Sequence, residues 1–492
     1  MNDFYNRLIV DSKKRRIFNI LAAFEKNKSL SAVELATKAK ATNRTIISDI
    51  ASIRQEMTEC IQIESTNIGY TFKVLDSEKY RLYKQNLLGD EPLFSIINGV
   101  FWNDRNSIED WADMLHHTSA SLQRYLGNLR KLLAQYDCSI EEEDEVLVFR
   151  GEEVAIRKFL LDYFYEAKFT AHTILPTKKI NEVTNVIIAK YQLSISFLKL
   201  SYILLIISER VKNDETLLIN DELRQSVKKD KNYESFQAVG QLLEEELSLI
   251  LNEDELIYFY ILTNTDRSIF DINREISWVY SYHSPKIEAI VEEYCKNLCI
   301  VEDTQKRICI HSFFVTSYLL YQLSPVYVIN LADINSEVQK RYRSELVTAE
   351  HLLEKKIQAV IPFGASLKES FFVNLVILQT ALDDIYHTCK KKIGVLLEGH
   401  SYSVTKFLST FIRYFKGQHE LVFLTPVMPQ ANLEAEKIDI VITNYPLHVT
   451  EYLDDINYLL INTIPDAEDW NNILCEIEPN MTRSFCLTNS SS

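Results

Sequence analysis

The sequence has few residues that interrupt regular structure: 492 residues include only 10 glycines and 10 prolines. They also include 24 Phe and 26 Tyr, and 47% of the chain is hydrophobic, so there is ample apolar area to bury. This composition excludes disorder over most of the length and favours helices. The length is well beyond the roughly 100 to 200 residues of one domain, which excludes a single small module and predicts several cores.

Segments that would direct the chain into or across a membrane are also lacking. The start, MNDFYNRLIV, contains Asp3 and no apolar signal region. The longest apolar stretch, Leu193 to Ile207, contains Lys199 and is shorter than the roughly 20 residues of a membrane span. Eight Cys in so long a chain make no disulfide framework. We expect a soluble, cytoplasmic protein with reduced thiols and no membrane partner.

Motifs for nucleotides or catalysis are sparse. Neither G-x-x-x-x-G-K-[ST] nor G-x-G-x-x-G occurs, so no cofactor is expected. Gly399-x-Ser401 between a strand and a helix has the layout of a nucleophile elbow, with His419 or His448 as a conceivable base. Ser403, however, replaces the second glycine of the tight turn, and about 100 residues cannot house the usual hydrolase sheet. A hydrolase using Ser401 is the least favoured alternative, and we expect no catalysis.

Cysteine and histidine spacing raises the question of a zinc site. Cys295, Cys299, Cys309 and His311 supply suitable ligand types. Their spacing matches no familiar zinc motif, and Cys295 and Cys299 lie beside apolar residues of a predicted helix. Buried core thiols are therefore the favoured interpretation, and no metal is expected.

The charge is unevenly distributed. The whole chain carries a formal net charge of −16, which argues against a nucleic-acid binder. Residues 1–60, however, hold eleven Lys and Arg against seven acids, a net charge of +4, which leaves −20 for the rest. A basic head on an acidic body is typical of a protein whose first segment meets a polyanion.

The first 150 residues contain a repeat. Residues 32–38 read as a helix, and after a short turn Thr42 caps a second helix that extends to Met57. A shift of 76 residues places Ser31 on Ser107, Thr42 on Thr118 and Arg54 on Arg130. The same shift superposes two apolar stripes at helical spacing: Ile46, Ile50, Ile53 and Met57 on Leu122, Leu126, Leu129 and Leu133. We infer two copies of one module.

Each copy continues with two short alternating strands around a polar turn, at residues 61–74 and 138–149. Two helices followed by a hairpin indicate a winged helix-turn-helix, whose second helix can enter a major groove. A small three-helix interaction domain would need the same stripe and remains open, as does a helical scaffold that binds no DNA. The duplication and the basic residues favour DNA.

The exposed positions supply the candidate DNA-binding residues. In the first copy we expect contacts from the lead-in cations and from the second helix: Lys13, Lys14, Arg15, Arg16, Asn43, Arg44, Thr45 and Ser48. In the second copy the corresponding positions hold Thr118, Ser119, Ser121, Arg124, Asn128 and Lys131. The second wing carries five consecutive acids, residues 141–145, which repel phosphate. We therefore expect that wing to point away from the duplex.

The remaining chain reads as helices and then as an α/β unit. Helix-period runs include 187–210, 242–251, 287–299 and 367–387, enough for two helical bundles joined near Ser284-Pro285. From residue 390, strands at 393–398, 420–424, 438–443 and 458–462 alternate with helices at 404–415 and from Asp466, which predicts a small parallel-sheet domain. The fold class is multidomain and mainly α. The predicted domains are 1–80, 81–160, 161–284, 285–389 and 390–492.

This order resembles the Mga/AtxA-type virulence transcriptional regulators of Gram-positive bacteria. The resemblance rests on the tandem winged helices, the junction Gly151-Glu152-Glu153 with Ile156-Arg157-Lys158-Phe159, and the bundles and terminal α/β unit. It implies two phosphotransferase-system regulation domains (PRDs) over the bundles and an EIIB-like domain at residues 390–492. It also implies a DNA-binding regulator that forms a homodimer on promoter DNA.

The resemblance further implies that phosphodonor proteins of the phosphotransferase system modify PRD histidines. The first bundle has no His at the matching helix, 197–210, whereas His311 and His387 of the second bundle lie in helical surroundings. A histidine without any regulatory role is the favoured alternative for both. A phosphotransfer EIIB carries a Cys after its first strand; here residues 399–403 are Gly-His-Ser-Tyr-Ser, and Cys389 precedes the strand. We expect a non-catalytic domain used for association.

Overall fold

The structure is a computed structural model, and it forms two compact units, Met1–Val376 and Ile377–Ser492. It describes residues 3–67, 69–165, 172–267, 269–298, 304–362, 364–386, 391–399, 401–424, 437–446 and 457–478. The structure is predominantly helical with small sheets, as the sequence predicts.

The first copy of the repeat is a three-helix unit with a small sheet. Its elements are α2 (Ser12–Lys26), β1 (Ser29–Leu30), α3 (Ala32–Ala39), α4 (Asn43–Glu56), β2 (Ile61–Thr66) and β3 (Gly69–Val74), followed by α5 (Ser77–Leu87). The strands pair antiparallel in the order β1-β3-β2. The apolar stripe of α4 packs into one core with Phe24 of α2, Leu35 of α3 and Phe72 of β3. Two-residue β1 was not predicted.

The second copy has the same order of elements: α6 (Pro92–Phe101), α7 (Ile108–Met114), α8 (Ser119–Leu133), β4 (Cys138–Glu143) and β5 (Val146–Gly151). Its hairpin is antiparallel, and a 3-10 turn, Ala134–Tyr136, joins it to α8. In place of a third strand, the N–H of Leu147 donates to the carbonyl oxygen of Asn106 over 3.0 Å. Asn106 is 76 residues after Leu30 of β1, so the repeat extends to this backbone pairing.

A short first helix, α1 (Asp3–Leu8), packs against the second copy. Phe4 contacts Tyr136 and Phe159 with ring centroids 6.3 and 6.0 Å apart, and Tyr5 lies 4.9 Å from Phe94. Tyr5 also stacks on Phe18 of α2 at 6.0 Å. The first residues of the chain therefore join the two copies through buried aromatic contacts.

A long helix after the second wing, α9 (Glu153–Tyr165), connects the repeat to the helical body. The body of this unit comprises α10 (Lys178–Tyr191), α11 (Phe197–Lys212), α12 (Asp221–Lys228), α13 (Lys231–Phe236), α14 (Ala238–Leu247), α15 (Glu253–Thr265), α16 (Ile272–Ser281), α17 (Pro285–Asn297), α18 (Thr304–Leu323), α19 (Ala332–Arg341), α20 (Arg343–Ile357) and α21 (Ala365–Tyr386), whose last residues belong to the second unit. Helix α18 packs against α15, α16 and α17.

One predicted helical run is wrong. The apolar periodicity of residues 187–210 indicates one helix, whereas the structure has α10 and α11 with a break between them. Gln192 adopts the left-handed conformation (φ 48°), and Ser196 caps α11 through a 3.2 Å bond from the N–H of Lys199. Capping groups ended the first helix although the apolar pattern continues.

The second unit contains a parallel sheet with two helices on one face. Its elements after α21 are β6 (Lys392–Leu396), α22 (Ser401–Phe415), β7 (Glu420–Phe423), β8 (Ile440–Thr443), β9 (Tyr458–Leu460) and α23 (Ala467–Ile477). The strand order is β7-β6-β8-β9 with every pairing parallel. Ile393 and Ile442 of the sheet pack with Phe411 of α22 and Ile473 of α23. Each predicted strand of this segment is confirmed in position.

None of the helices in the described part of the chain combines the length and apolar character that a membrane crossing requires.

Candidate nucleic-acid interface

Local hydrogen bonds fix the helix-turn-helix of the first copy. The N–H of Glu34 donates to Ser31 Oγ (3.2 Å) and the N–H of Ser31 donates to the Glu34 carboxylate (2.7 Å), so α3 begins with a capping box. It ends at Lys40 in the left-handed conformation (φ 51°). Thr42 then caps α4 by accepting the N–H of Thr45 at 3.2 Å. These bonds define the angle at which α4 leaves the turn.

The second copy repeats these bonds. Ser107 and Asp110 form the capping box of α7, and His116 has a left-handed φ of 57° at the position matching Lys40. Thr118 caps α8 by accepting the N–H of Ser121 at 3.2 Å. The prediction that Thr42 and Thr118 cap the second helix of each copy is confirmed.

Helix α4 has a buried face and an open face. The predicted stripe, Ile46, Ile50, Ile53 and Met57, is at most 2% exposed. Asn43, Arg44 and Ser48 are exposed on the other side, and the Arg44 guanidinium has no partner among the described residues. Thr45 is half-buried, and its hydroxyl lies 2.9 Å from that of Thr42. Three of the four predicted residues of this helix are thus available to a ligand.

Helix α8 presents the corresponding face. Its stripe, Leu122, Leu126, Leu129 and Leu133, is fully buried. Thr118, Arg124, Asn128 and Lys131 are exposed, while Ser119 and Ser121 are half-buried. The Arg124 guanidinium lies 5.2 Å from the ring centre of Tyr125, a cation–π contact that leaves its N–H groups at the surface.

One further position of this face, Ile47, was not predicted. Ile47 is 55% exposed between Arg44 and Ser48, and the 76-residue shift places it on Gln123, which is also exposed. An exposed Ile can contact a thymine methyl group, and Gln can bond an adenine edge. The signal was available, because residues 43, 47 and 51 follow one another at helical spacing outside the apolar stripe.

In each copy an arginine of the second helix, α4 or α8, forms a hydrogen bond with the wing. Arg54 Nε donates to the carbonyl oxygen of Ile63 in β2 over 2.9 Å, and Arg130 Nε donates to that of Ile140 in β4 over 2.8 Å. The identity of residues 54 and 130 in the repeat therefore has a structural cause. This bond helps to fix the position of the hairpin relative to the helix in each copy.

Three of the four basic lead-in residues form ion pairs within the protein. Arg16 forms an ion pair with Asp49 of α4 at 2.8 Å, and this hydrogen bond raises the pKa of Arg16. Lys14 pairs with Asp90. Lys13 is exposed and lies 4.0 Å from a carboxylate oxygen of Glu56. Arg15 is half-buried.

The five acids of the second wing differ in their contacts within the protein. Glu142 accepts the N–H of Ile108 at 2.8 Å at the start of α7, and Glu143 pairs with Arg150. Three others, Glu141, Asp144 and Glu145, are exposed and form no ion pair within the described part of the chain. This wing tip is therefore negative, in contrast to the open face of α4.

Of the two histidine candidates, His311 lies within the described residues and His387 does not. His311 lies in α18 with 7% of its surface exposed and with no hydrogen-bond partner for Nε2. Burial lowers the pKa of His311, so the ring is neutral at pH 7. His387 lies outside the described residues.

The described residues of the hydrolase and zinc alternatives are not assembled into a site. Ser401 begins α22 after the carboxyl end of β6, whereas His419 lies beside Lys391 at the amino end of that strand. His419 uses both ring nitrogens, accepting the N–H of Lys391 (3.2 Å) and bonding Glu478 (2.7 Å). Cys295 and Cys309 are buried thiols, and His448 and Cys299 lie outside the described residues. Over the described chain no group of three or more potential ligands could hold a metal.

Comparison with known families identifies part of this surface. The family model of the Mga helix-turn-helix domain matches residues 77–164, which contain α5 to α8 and the second wing. The resemblance to Mga-type regulators is thereby confirmed over this segment. A search of curated proteins finds none that matches the chain.

Proposed function

We propose that the protein is a transcriptional regulator that binds double-stranded promoter DNA through α4 and α8. The observation that carries this proposal is the open face of α4, where an exposed Arg44 without a carboxylate partner lies between Asn43 and Ser48. An equivalent face on α8 lies in the segment that matches the Mga helix-turn-helix model. A helix exposed along one side and anchored by a buried stripe has the form that a major groove accepts.

On the two faces, some side chains are suited to base edges and others to phosphates. Arg44 and Arg124 are suited to a guanine edge, and Asn43 and Asn128 to an adenine edge. Thr42, Thr118 and Lys131 are suited to phosphates, as is the start of each helix. Lys13 is the most exposed of the lead-in cations and is suited to a phosphate, whereas Asp90 and Asp49 neutralise the charges of Lys14 and Arg16.

The helical body and the second unit would regulate this surface. On the resemblance we assign PRD-like bundles to residues 161–284 and 285–389 and an EIIB-like association domain to residues 390–492, and we propose a homodimer. Phosphorylation of His311 or His387 by phosphotransferase-system proteins would add negative charge to the second bundle. At His311 that charge would enter a buried site near Glu288 and Glu292, which would loosen the packing of α17 on α18.

The DNA proposal is tested without knowledge of the promoter. A random duplex library selected on the wild-type protein supplies the ligand, and fluorescence anisotropy gives its affinity at several salt concentrations. We expect Arg44→Ala to weaken binding by about 1 to 3 kcal/mol and to relax the preferred sequence at one position. Lys190→Ala, which removes an exposed cation of α10, is the matched control and should bind as the wild type does.

Two results would count against the proposal. One is a library that yields no enriched sequence; the other is unchanged affinity and unchanged salt dependence in both Arg44→Ala and Arg124→Ala. Either result would favour the helical scaffold. The regulatory part is tested by light scattering with and without phosphodonor, using His311→Ala and His387→Ala: an oligomeric state that never responds would contradict it.

A further inference from the structure

A polar cavity of about 320 Å³ opens between α16 and the helices that precede it, within the Met1–Val376 unit. This volume lies in the range of roughly 300 to 1,000 Å³ found for small-molecule sites. Aromatic walls come from Tyr191, Phe236 and Trp278. Two guanidinium groups, those of Arg267 and Arg274, also line the cavity. Neither the winged helices nor His311 contributes a lining residue.

The first of these cations is fully compensated. Arg267 forms an ion pair with the buried Glu275 at 2.9 Å, and its Nε donates to the same carboxylate over 3.1 Å. The guanidinium also stacks on Trp278, 4.7 Å from the ring centre. Arg267 and Glu275 together therefore contribute almost no net charge to the cavity.

The second cation has only neutral acceptors. Arg274 Nη1 donates to the carbonyl oxygen of Gln192 (3.2 Å) and to Ser194 Oγ (2.6 Å), and Nη2 donates to Asn264 Oδ1 (3.1 Å). Within the described chain, no carboxylate oxygen lies within 4.0 Å of this half-buried guanidinium. A cation withdrawn from water without a counter-ion is unfavourable.

The nearby charges do not supply that counter-ion. Burial and the positive charge of Arg267 lower the pKa of Arg274, against the weaker influence of Glu275 and Asp271. Glu275 is already paired with Arg267. The exposed Asp271 caps α16 by accepting the backbone N–H of Arg274 at 3.1 Å. A planar guanidinium is thus fixed at a cavity wall that Asp271 also lines, and no carboxylate of the described chain lies within ion-pair distance of it.

We propose that the cavity binds a small organic oxyanion, with the phosphate or carboxylate group on Arg274 and the rest of the molecule against the aromatic walls. Guanidinium groups recognise both kinds of oxyanion through paired hydrogen bonds. A bound molecule would join α16 to Asn232 and Ser235 of the α13 segment. Because α16 packs on α18, which also contacts α15 and α17, the ligand would stiffen the helical body and act as an effector.

The test uses the full-length protein without DNA, so its result is independent of the proposed function. Isothermal titration at low ionic strength measures three probes: inorganic phosphate, glucose 6-phosphate and succinate, with sodium chloride at equal ionic strength as the reference. We expect at least one probe to bind the wild type. Arg274→Gln should weaken that binding by about tenfold or more, and Arg274→Lys by less, because the charge remains and the fork is lost.

Arg307→Gln is the matched control, since it removes a surface cation paired with Glu292 outside the cavity, and it should bind as the wild type does. Circular dichroism of each variant shows whether it is folded. Stronger binding of the phosphate probes or of succinate identifies the class of oxyanion. If no probe binds beyond the chloride reference, or if folded Arg274→Gln binds as well as the wild type, the proposal is wrong.

Discussion

Arg54 and Ile63 lie 2.9 Å apart, from side-chain Nε to carbonyl oxygen, and this bond connects the recognition helix of the first copy to its wing. Arg54 Nη2 also donates to Ser65 Oγ at 2.9 Å, so one guanidinium holds two positions of β2. Arg130 and Ile140 form the same bond in the second copy. In each copy, therefore, one arginine bonds the second helix to the hairpin, in addition to the hydrophobic packing between them.

Arg54→Met should loosen the first wing without unfolding the protein. Loss of a charge-assisted hydrogen bond of this kind costs about 1 to 2 kcal/mol, which should speed amide exchange in β2 and weaken DNA binding. Hydrogen exchange with mass spectrometry measures the first effect, and Gln55→Ala, at the exposed neighbouring position, is the control. Unchanged exchange over residues 61–66 would show that Arg54 does not hold the wing.

Removal of the helix caps should open the start of each recognition helix. Thr42→Ala and Thr118→Ala each remove the acceptor of an N–H in the first turn, at a cost of about 1 kcal/mol, or roughly fivefold faster amide exchange there. Thr42→Ser and Thr118→Ser keep the acceptor and should exchange like the wild type. Equal exchange in the Ala and Ser variants would contradict the assigned caps.

The buried ion pair between Arg157 of α9 and Glu255 of α15 should be costly to break. Both side chains have no exposed surface, and the guanidinium donates to both carboxylate oxygens at 2.5 and 2.8 Å. Arg157→Met leaves the buried Glu255 carboxylate without its cation and should destabilise the protein by about 3 to 5 kcal/mol. Glu255→Gln should cost less, because Arg157 also pairs with Glu153 at 2.7 Å. Thermal unfolding measures the loss. The double variant should lose less than the two single losses combined; strict additivity would mean that the pair does not act as a pair.

Neutralisation of the second wing tip tests its direction. If this hairpin points away from the duplex, Asp144→Asn combined with Glu145→Gln should leave both DNA affinity and its salt dependence unchanged. A wing beside the phosphates would instead gain affinity on losing two negative charges. Anisotropy titrations at several salt concentrations distinguish these outcomes. Glu244→Gln combined with Glu245→Gln, which removes two exposed negative charges from the helical body, provides the control.

Buried His311 should make the protein less stable in mild acid. Desolvation lowers its pKa in the folded state from the ordinary 6.5, so below pH 6.5 the unfolded chain binds a proton that the folded chain resists. The stabilising contribution is therefore complete above pH 6.5 and decreases as the pH falls towards the folded-state pKa. His311→Leu should show a smaller drop in melting temperature between pH 7 and pH 5. His351→Leu, at an exposed position, should keep the wild-type drop.

The sequence predicts best what depends on neighbouring residues. Caps, turns and the faces of α4 and α8 follow from hydrogen bonds and side chains only three or four positions apart, so the 76-residue repeat already marks them. The alternating strands of the second unit are likewise local patterns. The break between α10 and α11 was missed because the apolar periodicity runs across it, and periodicity reports burial rather than where a helix ends.

By itself, then, the sequence determined two copies of one module, their capped helices and the side chains on their open faces. Only the tertiary structure decided that Arg16 is neutralised by Asp49, 33 residues away, and Lys14 by Asp90, 76 residues away. It also paired Arg157 with Glu255 across 98 residues and left Arg274 at a cavity with no carboxylate of the described chain within ion-pair distance. The reason is physical: whether a charge is compensated depends on which distant segments pack beside it, and no local pattern of residues encodes that.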